Sequence, residues 1–288
     1  MEIKINGKTA DITVEHEKTI GEIIVSLDEW LANSGHRLSG LAIDGKTADI
    51  SSIEEAFSRE IDTVKVLDIH TSTLAALAAV SLLDLLGDID EYEELGFEEK
   101  NGFYENWKER AGARFTAGQM PDLFLLYDNT FSPGADSGVS TAVLRSITEE
   151  RLREVKEPAE EIKRLEPVIE DTCARLVDLP LDIQTGKDKR AAETIQYFSG
   201  ITEKVFRIFR QLDIQGYIPE AMKTSENTFS PEIGEFGAVV KELLDAYERH
   251  DWVLVGDLAE YEIAPKLREL YNIIMKSCRE TADAQGMK

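Results

Sequence analysis

Asn129-Thr130-Phe131-Ser132-Pro133 returns as Asn227-Thr228-Phe229-Ser230-Pro231, an offset of 98 residues. Held without a gap, this offset places Gly102 on Gly200, Glu105 on Glu203, Gly118 on Gly216 and Pro121 on Pro219. Further out, Leu83-Asp84 falls on Leu181-Asp182, Glu150-Arg151 on Glu248-Arg249 and Pro167 on Pro265. Glycine and proline mark fixed points of backbone geometry, so their recurrence in one frame is an architectural signal. The expectation is a duplicated helical unit, 71–168 and 169–288, behind a small module at 1–70. In each pentapeptide, Ser before Pro reads as the N-cap and first position of a helix. Asn closes its own turn, and Phe131 and Phe229 anchor the preceding loop in the core.

The leading 70 residues follow a different period. Glu2 to Lys8 alternates apolar and polar and turns at Asn6-Gly7, a strong hairpin signal. The return strand reads from Thr9 to Val14. Thr19 caps a helix from Ile20 to Asn33, in which Ile20, Ile23, Ile24, Leu27, Trp30 and Leu31 form one buried stripe. A strand over Leu38–Ile43 ends at Asp44-Gly45. A short helix over Ser52–Arg59 and a last strand over Ile61–Ile69 follow, with Val64, Val66 and Ile69 inward. This order of hairpin, helix, strand, short helix and strand resembles the ubiquitin-like β-grasp fold. Some members of that fold are sulfur carriers with a free Gly-Gly tail. Here His70-Thr71-Ser72 runs straight into a helix, so the resemblance implies an interaction module rather than a carrier. The fold class is therefore α+β, mostly α.

The chain has 288 residues, 42% of them hydrophobic, and a net charge of −24. It can bury real cores, and its surface repels phosphate backbones, so no nucleic-acid partner is expected. The longest apolar run, Leu74 to Val80, is far short of the ~20 residues of a membrane span. The chain opens on a strand without a basic region or an apolar signal segment, so it reads as cytoplasmic. Cys173 and Cys278 lack zinc spacing and read as buried small hydrophobes, with no metal or cofactor expected.

Leu74 to Leu86 is apolar nearly all round, which places it inside the fold. Asp88, Asp90, Glu94 and Glu99 match some positions of a calcium loop. Glu93 stands where the loop needs glycine, so the stretch reads as a solvated acidic helix start. Phe97, Phe103, Tyr104, Trp107 and Phe115 give an aromatic helix or helix pair. Helices over Thr141–Val155 and Ala159–Leu176 bend at Glu157-Pro158. Leu179 to Asp188 reads as a connector into a helix over Lys189–Leu212. Ile233–Arg249 and Trp252–Cys278 complete the chain, the last with Leu254, Leu258, Ile263, Leu267, Leu270 and Ile274 inside.

Thr185-Gly186-Lys187 resembles the end of a phosphate loop but has neither the upstream glycine nor a preceding strand. Lys187, Lys189 and Arg190 at a helix start in an acidic chain form a candidate anion or partner site. Trp107, Tyr127, Tyr217 and Trp252 form a second candidate, a pocket between the helical units. The Glu-x-x-His pairs of di-iron bundles are absent. Leu179–Ala192 and Asp251–Leu270 resemble an uncharacterised family of bacterial helical proteins, which implies no catalytic residues. The functional expectation is a non-enzymatic protein-binding adaptor or assembly chaperone. The alternative is a small-ligand-binding protein or enzyme.

Overall fold

The computed structural model describes residues 1–12, 14, 16–33, 35–48, 53–134, 138–218 and 231–284. A five-stranded sheet is followed by helices, so the fold is α+β and mostly α. The chain falls into two compact units, Met1–Leu152 and Arg153–Lys288, over which the three segments expected from the repeat are distributed.

In the first unit, β1 (Glu2–Ile5) turns at Asn6 and Gly7, both at positive φ, into β2 (Lys8–Thr9). The return strand is shorter than its alternation suggested, with one further bond from the Ala10 N–H to the Ile3 carbonyl. Helix α1 (Ile20–Asn33) opens with a reciprocal cap. The Glu22 N–H donates to Thr19 Oγ1, and the Glu22 carboxylate accepts from the Thr19 N–H. Ile20, Ile23, Ile24 and Leu31 are buried as expected, but Trp30 is 56% exposed.

Strand β3 (His36–Ile43) turns at Asp44-Gly45 into a two-residue β4 (Lys46–Thr47), which the sequence did not announce. After α2 (Ile53–Ser58), residues Ile61–Thr63 form a 3-10 turn, not the start of a strand. Strand β5 (Val66–Thr73) then runs four residues beyond its expected end. The strand order is β2-β1-β5-β3-β4, with β1 parallel to β5 and the other pairs antiparallel. A period of two puts Leu67 inward with Ile69, and Val66 is only half-buried.

Thr73 ends β5 and caps α3 (Leu74–Glu94), its Oγ1 accepting from the Ala76 N–H at 3.1 Å. The helix is two turns longer than expected, so the acidic stretch lies within it and does not start one. Asp88 is buried and meets the Arg110 guanidinium at 2.5 Å, while Arg110 also grips both oxygens of Glu91. Helices α4 (Glu99–Glu109), α5 (Ala111–Gln119), α6 (Pro121–Phe131) and α7 (Thr141–Lys156) follow. Phe103, Trp107, Tyr127 and Phe131 build an aromatic core, whereas Phe97 is 91% exposed.

The first pentapeptide ends a helix, contrary to its Ser-Pro reading. Leu123, Tyr127 and Phe131 lie four residues apart on one buried stripe and carry α6 through to Phe131. Ser132 then turns extended, and its N–H bonds the Asp128 carbonyl. Of the second copy, residues 227–230 lie outside the described residues, and α11 (Pro231–Glu248) begins at its proline.

The second unit continues with α8 (Pro158–Arg164), α9 (Glu166–Gln184) and α10 (Asp188–Ile214). After α11 come α12 (Trp252–Asp257), a π turn (Leu258–Ile263) and α13 (Ala264–Ala284). The single helix expected over Ala159–Leu176 is broken at Leu165, and the expected connector at 179–188 is helical as far as Gln184. The reason is packing: Ile169, Cys173, Leu176 and Leu179 continue one buried stripe, which outweighs Pro180. The end of α7 is fastened to α10 by Arg207, which meets buried Glu154 through both oxygens at 3.1 and 3.0 Å.

Candidate functional site

Five local decisions shape one corner of the second unit. First, α9 continues through Pro180, whose ring faces Gly256 of α12. A Cβ on Gly256 would lie 3.2–3.3 Å from Pro180 atoms, tighter than ordinary contact, so glycine favours this close approach of the helices. Second, α9 stops by a Schellman turn. Gly186 is at φ +69, its N–H bonds the Ile183 carbonyl, and the Lys187 N–H reaches the Asp182 carbonyl.

Third, the Asp182 side chain is buried and draws in two cations, Lys187 Nζ at 3.2 Å and Arg190 Nε at 2.9 Å. Fourth, α11 ends with His250 at φ +58. The His250 and Asp251 N–H groups close the same kind of turn on Tyr247 and Ala246, in a conformation that favours glycine. The imidazole Nδ1 lies 3.1–3.3 Å from the Glu248 and Tyr247 carbonyls, and its ring centre is 5.4 Å from that of Trp252. Fifth, the π turn follows α12. The Cys173 thiol of α9 donates to the Ala264 carbonyl at its far end.

These decisions enclose a cavity of about 210 Å³. Leu179 and Ile183 of α9, Ala191 and Ile195 of α10 and Val255 of α12 supply apolar walls. Tyr247 and Trp252, in edge-to-face contact at 5.4 Å, supply an aromatic side, and Trp252 is 42% exposed. Asp188 and Ala192 complete the lining, Asp188 as its one acidic residue.

Lys187 and Arg190, expected to attract an anion, are instead turned onto Asp182, while Lys189 stands in solvent beside Glu193. Trp107 and Tyr127 are fully buried core residues of the first unit, stacked at 6.1 Å. The Tyr127 hydroxyl is 2.8 Å from Thr148 Oγ1, and burial pushes its pKa up. Tyr217 lies half-buried against the second unit's core, where its carbonyl accepts from Thr281 Oγ1. Trp252 alone of the four aromatic candidates lines the cavity.

Residue-by-residue reading missed Asp188, Tyr247 and the apolar walls. A signal was nonetheless present: 179–192 and 251–270, the stretches singled out by resemblance, are brought together here by the Pro180–Gly256 contact. Cys173 and Cys278 are free and buried; burial raises both thiols, Cys278 to about 11. Among the described residues, no group of three or more His, Cys, Asp or Glu is placed to hold a metal ion. Among those same residues, no helix is long and apolar enough to cross a membrane.

Comparison with known proteins adds three findings. Residues 1–73 match the family model described as the TP0873 N-terminal domain, which ends where β5 ends. Residues 160–273 match a domain of unknown function, DUF8042, and this range holds every residue lining the cavity. An uncharacterized protein of Treponema pallidum (strain Nichols) is 21% identical over 275 residues, spanning 96% of each chain. No solved structure matches the chain.

Proposed function

We propose that this protein is a non-enzymatic adaptor or assembly chaperone, and that the corner of α9, α10, α11 and α12 receives an anchoring side chain from a protein partner. The size of the cavity carries this reading. At about 210 Å³ it lies below the ~300–1,000 Å³ of sites that enclose a drug-sized molecule. It suits one inserted side chain, the unit by which protein interfaces gain most of their affinity. Trp252 and Val253, exposed on α12, offer apolar surface beside the cavity.

On this reading the N-terminal sheet is a β-grasp head that serves as a second interaction module. Its strand order and the parallel β1–β5 pair support that assignment. The two free, buried thiols support a reducing compartment, the cytoplasm.

The test is to fill the cavity. Ala192 is exposed and lines it, so Ala192→Phe plugs the space while leaving the core intact. Capture from native cells is carried out with wild type and variant side by side, circular dichroism confirming equal helicity. A stoichiometric protein retained by wild type and lost by Ala192→Phe is the expected result. Equal retention by both, or no stoichiometric protein with wild type, refutes the reading.

A further inference from the structure

The charges around the cavity are distributed unevenly. Two nearby cations, Lys187 and Arg190, are held by buried Asp182, and Arg190 also reaches Asp178. Lys189 lies beside Glu193. Asp188, the one acidic residue among those lining the cavity, forms no ion pair among the described residues. The same cavity is lined by the rings of Tyr247 and Trp252 and by Leu179, Ile183 and Ile195.

Resting on the docking reading above, we infer that the anchor received here is an arginine side chain of a basic protein segment. An arginine has three parts that match the three kinds of wall. Its methylene stem packs on aliphatic surface, as long cationic side chains do when they bury their stems. Its guanidinium stacks on aromatic faces and attracts their negative quadrupole. Its forked N–H donors pair with a carboxylate more strongly than a neutral donor can.

An apolar anchor would leave Asp188 facing hydrocarbon with nothing to offset its desolvation. An acidic anchor would meet like charge, in the cavity and in a chain of net charge −24. Asp182 has a definite part in this arrangement: by sequestering Lys187 and Arg190 it keeps the chain's own cations off Asp188.

The experiment uses the full chain and a synthetic amphipathic helix with leucines on one face and arginines along its edge. Its control is the same peptide with every arginine replaced by citrulline, a neutral group of nearly the same shape. Binding is read from the Trp252 indole N–H resonance, assigned as the one of three indole signals that Trp252→Phe removes. The arginine peptide is expected to shift this signal saturably and to bind roughly tenfold more tightly than the citrulline peptide, the scale of one charge-assisted bond. In Asp188→Asn, an exposed position where folding is not at risk, that preference is expected to vanish.

If both peptides move Trp252 with equal affinity, the cationic anchor is overturned while docking at this corner stands. If the preference for arginine survives Asp188→Asn, the acidic surface at large is responsible and the inference is again overturned. If neither peptide moves Trp252, the inference and the docking reading fall together.

Discussion

His250 holds a left-handed backbone of the kind that glycine supplies after α9 at Gly186 and after α10 at Gly216. A side chain in that conformation costs roughly 1–2 kcal/mol, partly offset here by the ring's contacts with two carbonyls. His250→Gly is therefore expected to stabilise the protein by up to about 1 kcal/mol in urea unfolding. His250→Ala, which keeps the strain and loses the ring, is expected to destabilise it.

Asp88 gives a second residue-level expectation, in pH. Burial raises its carboxyl above the ordinary range, against the lowering effect of the Arg110 guanidinium. A carboxyl with a higher pKa folded than unfolded holds its proton more tightly in the folded state. Its contribution to stability is thus full below the unfolded pKa and is lost as pH rises through the folded one. Asp88→Asn removes that loss, and Glu91 remains to pair with Arg110. Urea unfolding from about pH 4 to about pH 7 should show the variant gaining on wild type as pH rises. The sequence could not reveal this role, because the spacing of Asp88, Asp90, Glu94 and Glu99 says nothing about Arg110, which arrives from the junction of α4 and α5.

The close approach of α9 and α12 depends on an absent atom. Gly256→Ala forces a methyl onto Pro180, which cannot yield as a flexible side-chain tip can. The expected loss is about 1–3 kcal/mol, the range of overpacked cores, together with a shifted Trp252 fluorescence maximum. An unchanged spectrum and unchanged stability would show that α12 does not rely on this contact. The element scale is also where the sequence was most legible and most misleading. Capped, periodic segments such as α1 and α11 fall within two residues of their expected bounds. Pro180 suggested a connector because local propensity was read without the buried stripe that overrides it.

Taken whole, the chain carries 56 acidic against 32 basic residues. Such an excess works against the compact state by self-repulsion, which salt screens. The thermal midpoint is expected to rise between about 10 mM and about 300 mM sodium chloride; a flat or falling midpoint would show that internal ion pairs such as Glu154–Arg207 matter more than the net charge. The repeat frame and the packing describe different things. The frame carries the start of α9 at Glu166 onto that of α13 at Ala264, each with proline as its second residue. Packing instead divides the chain at Leu152, inside α7. Compactness depends on contacts that no single-sequence pattern prints, which is why the cavity was not legible in the sequence.

The junction at Thr73 has a mechanical meaning. One residue closes the central strand β5 and starts α3, with no slack between them. Sheet and helix are therefore coupled in series, like a blade forged to its shaft. A load applied to the sheet passes directly into α3, and there is no hinge at that point to absorb it.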